Sequence, residues 1–214
     1  MQKIDRQNWS RLEHFELFNS FNHPHFNMCA NVDLTRFQPY VKSHGLSITV
    51  AITYIISRAA NAVPEFRYRI RDEDIVVHDV VSPSVTFLTK DDLFSFCAID
   101  YSQDFNEFAK RASTQIKLVK THPTLKDPPS RDDLLYMTAI PWVSFTSFTH
   151  PMRQHPADCI PRFAWGKVFS DGNQVKMPLS VQGHHGVMDG IHMGYFYGHV
   201  QDYLDRPEVI LGGE

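Results

Sequence analysis

The chain has 214 residues, 43% of them hydrophobic and 13% aromatic, enough apolar surface for one packed domain over 1–214 and too much for a disordered polymer. A net charge of −3 gives no electrostatic footprint for nucleic acid or an anionic membrane surface, and no apolar run approaches the roughly 20 residues that span a bilayer. The opening Met1-Gln-Lys-Ile-Asp-Arg lacks the apolar stretch of a signal peptide, and three widely spaced cysteines, Cys29, Cys97 and Cys159, read as reduced thiols of a cytoplasmic protein.

In chain order, Ser47 to Ala62 spaces Val50, Ala51, Tyr54, Ile55, Arg58 and Ala59 as a helix does, with Ser47 as its cap and Pro64 as its stop. Phe66–Ile70 and Ile75–His78, around a polar turn at Arg71–Asp74, read as a strand pair. Val85–Leu88 and Leu93–Cys97, around Lys90-Asp91-Asp92, read as a second. Asp104 to Lys120 is amphipathic, with Phe105, Phe108, Ala112, Ile116 and Val119 on one side. A proline-rich loop leads to strand signals at Tyr136–Ile140, Trp142–Phe148 and Phe163–Trp165. Ser170-Asp-Gly-Asn173 is a turn by composition, Gln174–Gln182 a further strand, and Ile191–Asp205 a helix with Pro207 beyond its end. Strands and helices are mixed without strict alternation. The expected class is therefore α+β, a mixed sheet covered by helices.

Histidine is over-represented: there are twelve, and His184, His185 and His192 fall within Gly183-His-His-Gly-Val-Met-Asp-Gly-Ile-His192. A neutral imidazole at the end of a strand is suited to accepting a proton near neutrality. Gly186 and Gly190 allow a sharp turn into the following helix, and Asp189 can orient an imidazole or pair with a cation. Other readings stand beside this one. A histidine at a strand end is commonly structural, and adjacent strand residues point to opposite faces. His184, His185, Asp189 and His192 are also possible zinc or iron ligands, although no recognised metal spacing is present and no cysteine lies nearby.

The string His-His-x-x-x-Asp-Gly over 184–190, preceded by Pro178-Leu-Ser-Val-Gln182, resembles the active-site signature of the chloramphenicol acetyltransferases. Its shorter form recurs across the CoA-dependent acyltransferases. Asn8-Trp-Ser-Arg-Leu-Glu-His-Phe15, Pro141-Trp-Val-Ser-Phe-Thr-Ser-Phe148 and Phe163-Ala-Trp-Gly-Lys167 resemble further family segments, in family order and over nearly the whole chain. The resemblance implies a two-layer α/β sandwich, assembled as a homotrimer with active sites at subunit interfaces. It implies acetyl transfer from the co-substrate acetyl-CoA, without a metal, to a hydroxyl of a small acceptor, chloramphenicol foremost. It assigns His185 as general base, Ser147 as oxyanion donor, and Asp189 with Arg11 as a pair that holds the loop. His184 and His192 become structural.

Departures from the family pattern are Ala164 for a threonine, Gly183 and Gly186 around the histidine pair, Ile191 for an aromatic, Phe18 for a tyrosine, and Asn22–Phe26. Phe15 and Phe18 are expected to line an apolar acceptor pocket or to belong to the core. The alternatives are a relative with a non-antibiotic acceptor, a dihydrolipoamide acyltransferase core, a non-catalytic small-molecule binder, and a metal-dependent hydrolase.

Overall fold

A computed structural model describes residues 1–72, 74–152 and 158–212. Its centre is a mixed sheet that, among the described residues, has seven strands. From one edge the order is β2 (His25–Asp33), β10 (Gln174–His184), β8 (Arg162–Gly166), β7 (Leu134–Ile140), β5 (Ser82–Leu88) and β6 (Phe94–Ala98), with β9 (Phe169–Asp171) also paired to β10. The β5–β7 and β7–β8 pairs are parallel and the rest antiparallel. A smaller sheet joins β1 (Gln2–Lys3), β4 (Asp74–Val77) and β3 (Tyr68–Arg71).

The two-residue period of the strands separates two faces. Val85, Met137, Phe163 and Val181 lie side by side across β5, β7, β8 and β10, and each is almost completely buried. The central helices α3 (Ile48–Ala62), α4 (Phe105–Thr121) and α5 (Gly190–Asp205) pack into one core with this row, through Ile55, Ala59, Phe108 and Phe196 among others. The neighbouring row is Ser84, Tyr136, Arg162, Gln182 and Asn27, and it faces away from the helices. Thus the expected mixed sheet covered by helices is present, with one apolar face and one polar face.

The helix starts follow the sequence signals. Ser47 accepts a hydrogen bond from the Val50 N–H, and Asp104 accepts one from the Glu107 N–H at 2.7 Å. Short helices α1 (Leu12–Asn19), α2 (Phe37–Ser43) and α6 (Pro207–Leu211) complete the fold.

Two expectations need correction. Phe66 lies in a single 3-10 turn, Pro64–Arg67, and the strand begins only at Tyr68. Pro64 presets that turn, and Phe66 is fully buried against Phe163 and Phe196 at ring separations of 5.9 and 5.0 Å. Trp142–Phe148 forms no strand, because β7 and β8 already have partners on both sides and offer it no edge. Instead it runs across the polar face, where the Phe148 carbonyl accepts hydrogen bonds from Asn27 Nδ2 and Ser180 Oγ. As expected, α5 ends at Asp205 with Pro207 beyond it, and Pro207 opens the short helix α6, where its missing N–H would have no helical partner anyway.

Among the described residues, no helix is long and apolar enough to cross a membrane. Phe163 is completely buried in the core, its ring against those of Phe66 and Phe196 at 5.9 and 5.3 Å. Phe163→Ala is therefore expected to cost about 3–5 kcal/mol, read as a lower urea midpoint at unchanged slope.

Candidate active site

The chain leaves β10 at His184, turns through His185–Asp189 and enters α5 at Gly190. One side chain from the other end of the sequence holds this turn. Arg11, the residue before α1, donates from Nη2 to Asp189 Oδ1 at 3.0 Å and from Nη1 to Asp189 Oδ2. The same Nη2 donates to the His185 carbonyl at 3.1 Å. The forked geometry fits a carboxylate in two places at once, which a lysine cannot do. These hydrogen bonds from Arg11 hold the Asp189 carboxyl below its ordinary range.

Asp189 also starts the helix. Its backbone N–H donates to His192 Nδ1 at 2.8 Å, which leaves the His192 proton on Nε2, 3.5 Å from Glu65 Oε1. His184 is completely buried, and its Nδ1 accepts from the Gly186 N–H at 3.1 Å. Burial pushes its pKa down to about 4. Both histidines thus make hydrogen bonds to the backbone of the turn.

His185 is placed differently. Its N–H donates to the Pro24 carbonyl at 2.7 Å. Its ring lies parallel to Phe18 at 4.0 Å and against Phe26 at 4.6 Å. Nδ1 is buried 3.1 Å from Asp189 Oδ1, but the two are not aligned as a hydrogen bond. The side chain is 34% exposed, and with Nδ1 covered the nitrogen open to a ligand is Nε2.

The aromatic expectation divides. Phe18, Phe21 and Phe26 gather at the His185 ring, Phe21 edge-on to Phe18 at 5.4 Å. Phe15 is instead 2% exposed, in a small core with Ile75, Cys159 and Val187. It supports the turn from beneath: a Cβ on Gly186 would come within 3.3 Å of its ring. The second glycine departure also has a packing reason. A Cβ on Gly183 would fall 2.2 Å from Met188 Sδ, so Met188 fills the volume that a larger residue 183 would take.

Ser147 lies exposed on the segment crossing the polar face, and no hydrogen bond joins it to His185 within the chain. Ala164 is buried on β8, in register with Thr138 and Ser180. Among the described residues, no group of three or more His, Cys, Asp and Glu is placed to hold a metal ion. The contacts of Pro24, His25 and Phe26 with the histidine pair were not anticipated. They join positions some 160 residues apart, and no local pattern announces them.

A sequence profile described as chloramphenicol acetyltransferase matches residues 1–201. The chain belongs to the chloramphenicol acetyltransferase family. It is 34% identical to a chloramphenicol acetyltransferase of Proteus mirabilis over 204 residues, covering 95% of this chain and 94% of the relative. It is 29% identical to chloramphenicol acetyltransferase 3 of Escherichia coli over 202 residues, covering 94% and 95%. A solved chloramphenicol acetyltransferase structure superimposes with a TM-score of 0.85 at 29% identity, over 95% of this chain and all of that one. The catalytic core of a Thermoplasma acidophilum 2-oxoacid dehydrogenase complex shares the fold, with a TM-score of 0.67 at 14% identity and 97% of each chain covered. In this chain the Arg11–Asp189 clasp holds a histidine turn packed on Met188 and Phe15.

Two buried histidines set a pH dependence of stability. Burial holds both His184 and His150 at about 4, against an ordinary 6.5. Between these values the unfolded chain binds protons that the folded chain excludes, so stability falls as pH drops from 6.5 towards 4. Each group contributes up to about 3 kcal/mol across that window. The melting temperature is expected to fall between pH 7 and 5, and less steeply in His150→Leu; parallel profiles would contradict this account.

Proposed function

We propose that the chain transfers the acetyl group of acetyl-CoA to a hydroxyl of a small acceptor, with chloramphenicol the first candidate. The observation that carries the reading is the fixed, half-open imidazole of His185, gripped through its carbonyl by Arg11 and through its ring by Phe18 and Phe26.

The chemistry follows from that placement. The Asp189 carboxylate, 3.1 Å from Nδ1, favours the tautomer with the proton on Nδ1 and leaves the Nε2 lone pair facing outward. Nε2 takes the proton of the acceptor hydroxyl as its oxygen attacks the thioester carbonyl carbon. The Ser147 hydroxyl donates to the oxyanion of the tetrahedral intermediate. When the C–S bond breaks, the sulfur takes the proton from Nε2 and leaves as the CoA thiol, and the acceptor carries the new ester. A positioned base contributes about 10² to 10⁴ in rate, and one oxyanion donor about 10² to 10³. A thiolate is a good leaving group, so neither a metal nor an acyl-enzyme is needed.

Asp189 and Arg11 do not transfer protons in this scheme. Their pairing keeps the turn in one geometry, and the carboxylate favours the imidazolium that forms during attack. Ser147 is remote in bonding from His185 within the chain, which suits a homotrimer whose sites form between subunits, each taking His185 from one copy and Ser147 from its neighbour. A small hydroxylated acceptor would meet Phe18, Phe21 and Phe26 beside the base. A cytoplasmic setting accords with the free thiols of Cys29, Cys97 and Cys159.

Release of CoA from acetyl-CoA plus chloramphenicol, followed with a thiol reagent, tests the reading. His185→Ala is expected to lower kcat by at least a hundredfold with its melting temperature nearly retained. Release at the wild-type rate in that variant would overturn the proposal.

A further inference from the structure

The segment Asn22–Phe26 departs from the family pattern and yet supplies three of the contacts around the histidine pair. β2 is the edge of the large sheet, hydrogen-bonded only to β10 among the described residues. Its ladder ends where His25 pairs with His184. An edge strand is held on one side alone, and its last residues are the first to fray. The geometry of His185 depends on that end, since the Pro24 carbonyl accepts its N–H and the Phe26 ring packs on its imidazole.

His25 closes the end. Its Nε2 lies 2.7 Å from the Asp158 carbonyl, and its ring meets that of His184 edge-on at 5.0 Å. A carbonyl only accepts, so Nε2 carries the proton and donates. Burial lowers the His25 pKa, so the ring is neutral near pH 7 and its one N–H is committed to this bond. Asp158 is anchored in turn: Arg162 on β8 donates from Nη1 to its Oδ1 at 2.8 Å and from Nη2 to its Oδ2 at 2.6 Å. The Arg162 guanidinium also lies over the Tyr136 ring of β7 at 5.3 Å. A continuous line of contacts therefore runs from the middle of the sheet through Arg162, Asp158 and His25 to the edge that carries the proposed base.

We propose that His25 is a positioning residue for His185, tying the free end of β2 to the anchored Asp158 carbonyl. This rests on the assignment of His185 as the base. His25 touches neither substrate nor reacting atoms in this scheme. It limits the drift of Pro24 and Phe26, and displacement of a catalytic group by about 1 Å typically costs on the order of a hundredfold in rate.

Two variants separate the donor from the ring. His25→Phe keeps an aromatic ring against His184 but has no donor, and His25→Gln keeps an N–H donor without the ring. In CoA-release assays on the full chain with acetyl-CoA and chloramphenicol, His25→Phe is expected to lower kcat ten- to hundredfold with KM for acetyl-CoA unchanged. His25→Gln is expected to retain most of the wild-type kcat. The imidazole resonances of His185 should broaden or shift in His25→Phe only. Wild-type kcat in His25→Phe, or equal loss in both variants, overturns the proposal. If wild-type protein releases no CoA, or does so without His185, the functional reading fails instead. His25 is then judged by the resonances alone: a shift in His25→Phe supports positioning, and none refutes it.

Discussion

Everything at the site depends on one guanidinium. Arg11 and Asp189 are 178 positions apart, and their forked pairing, with the added bond to the His185 carbonyl, brings the first helix of the chain against the turn that follows its longest strand. The arginine is 13% exposed and the carboxylate 30%, so the pair is sheltered without being sealed from water. Desolvation of this extent is offset by three charge-assisted hydrogen bonds from one rigid group. Phe15 under the turn, Phe18 on the imidazole, and Asp189 and His192 at the start of α5 all take their places around that contact.

The two faces of the large sheet divide the labour of the molecule. The row Val85, Met137, Phe163 and Val181 meets the helices and supplies the dry, close-packed interior. The alternate row presents Tyr136, Arg162 and Gln182 to the other side, where the segment carrying Ser147 crosses. A period of two thus places apolar packing and polar hydrogen bonding on adjacent residues of the same strands. Such strands tolerate little slippage, because a shift of one residue would exchange the faces.

Elements with strong local signals were legible. The helix at 48–62 shows its apolar spacing, its serine cap and its proline stop, and the helix at 105–121 has an equally plain amphipathic stripe. The strand into the histidine turn was clear for the same reason, and the family strings located Arg11, Ser147, His185 and Asp189. Less legible were segments whose conformation depends on distant partners. Trp142–Phe148 has the composition of a strand, but the adjacent strands β7 and β8 are already paired on both sides, and its Phe148 carbonyl is held by side chains from β2 and β10. The helices at 12–19 and 37–43 are short, and β2 carries mixed polar and apolar residues, so none stands out from its surroundings. Phe15 and Phe18 have the same composition and nearly the same position, and only packing sends one to the interior and the other to the imidazole.

Asp189 serves two elements at once. Its carboxylate holds Arg11, and its amide holds the His192 imidazole that begins α5. The clasp and the first turn of that helix therefore share one residue, through different atoms. His185 lies between these two attachments, on the turn that Asp189 joins to α5.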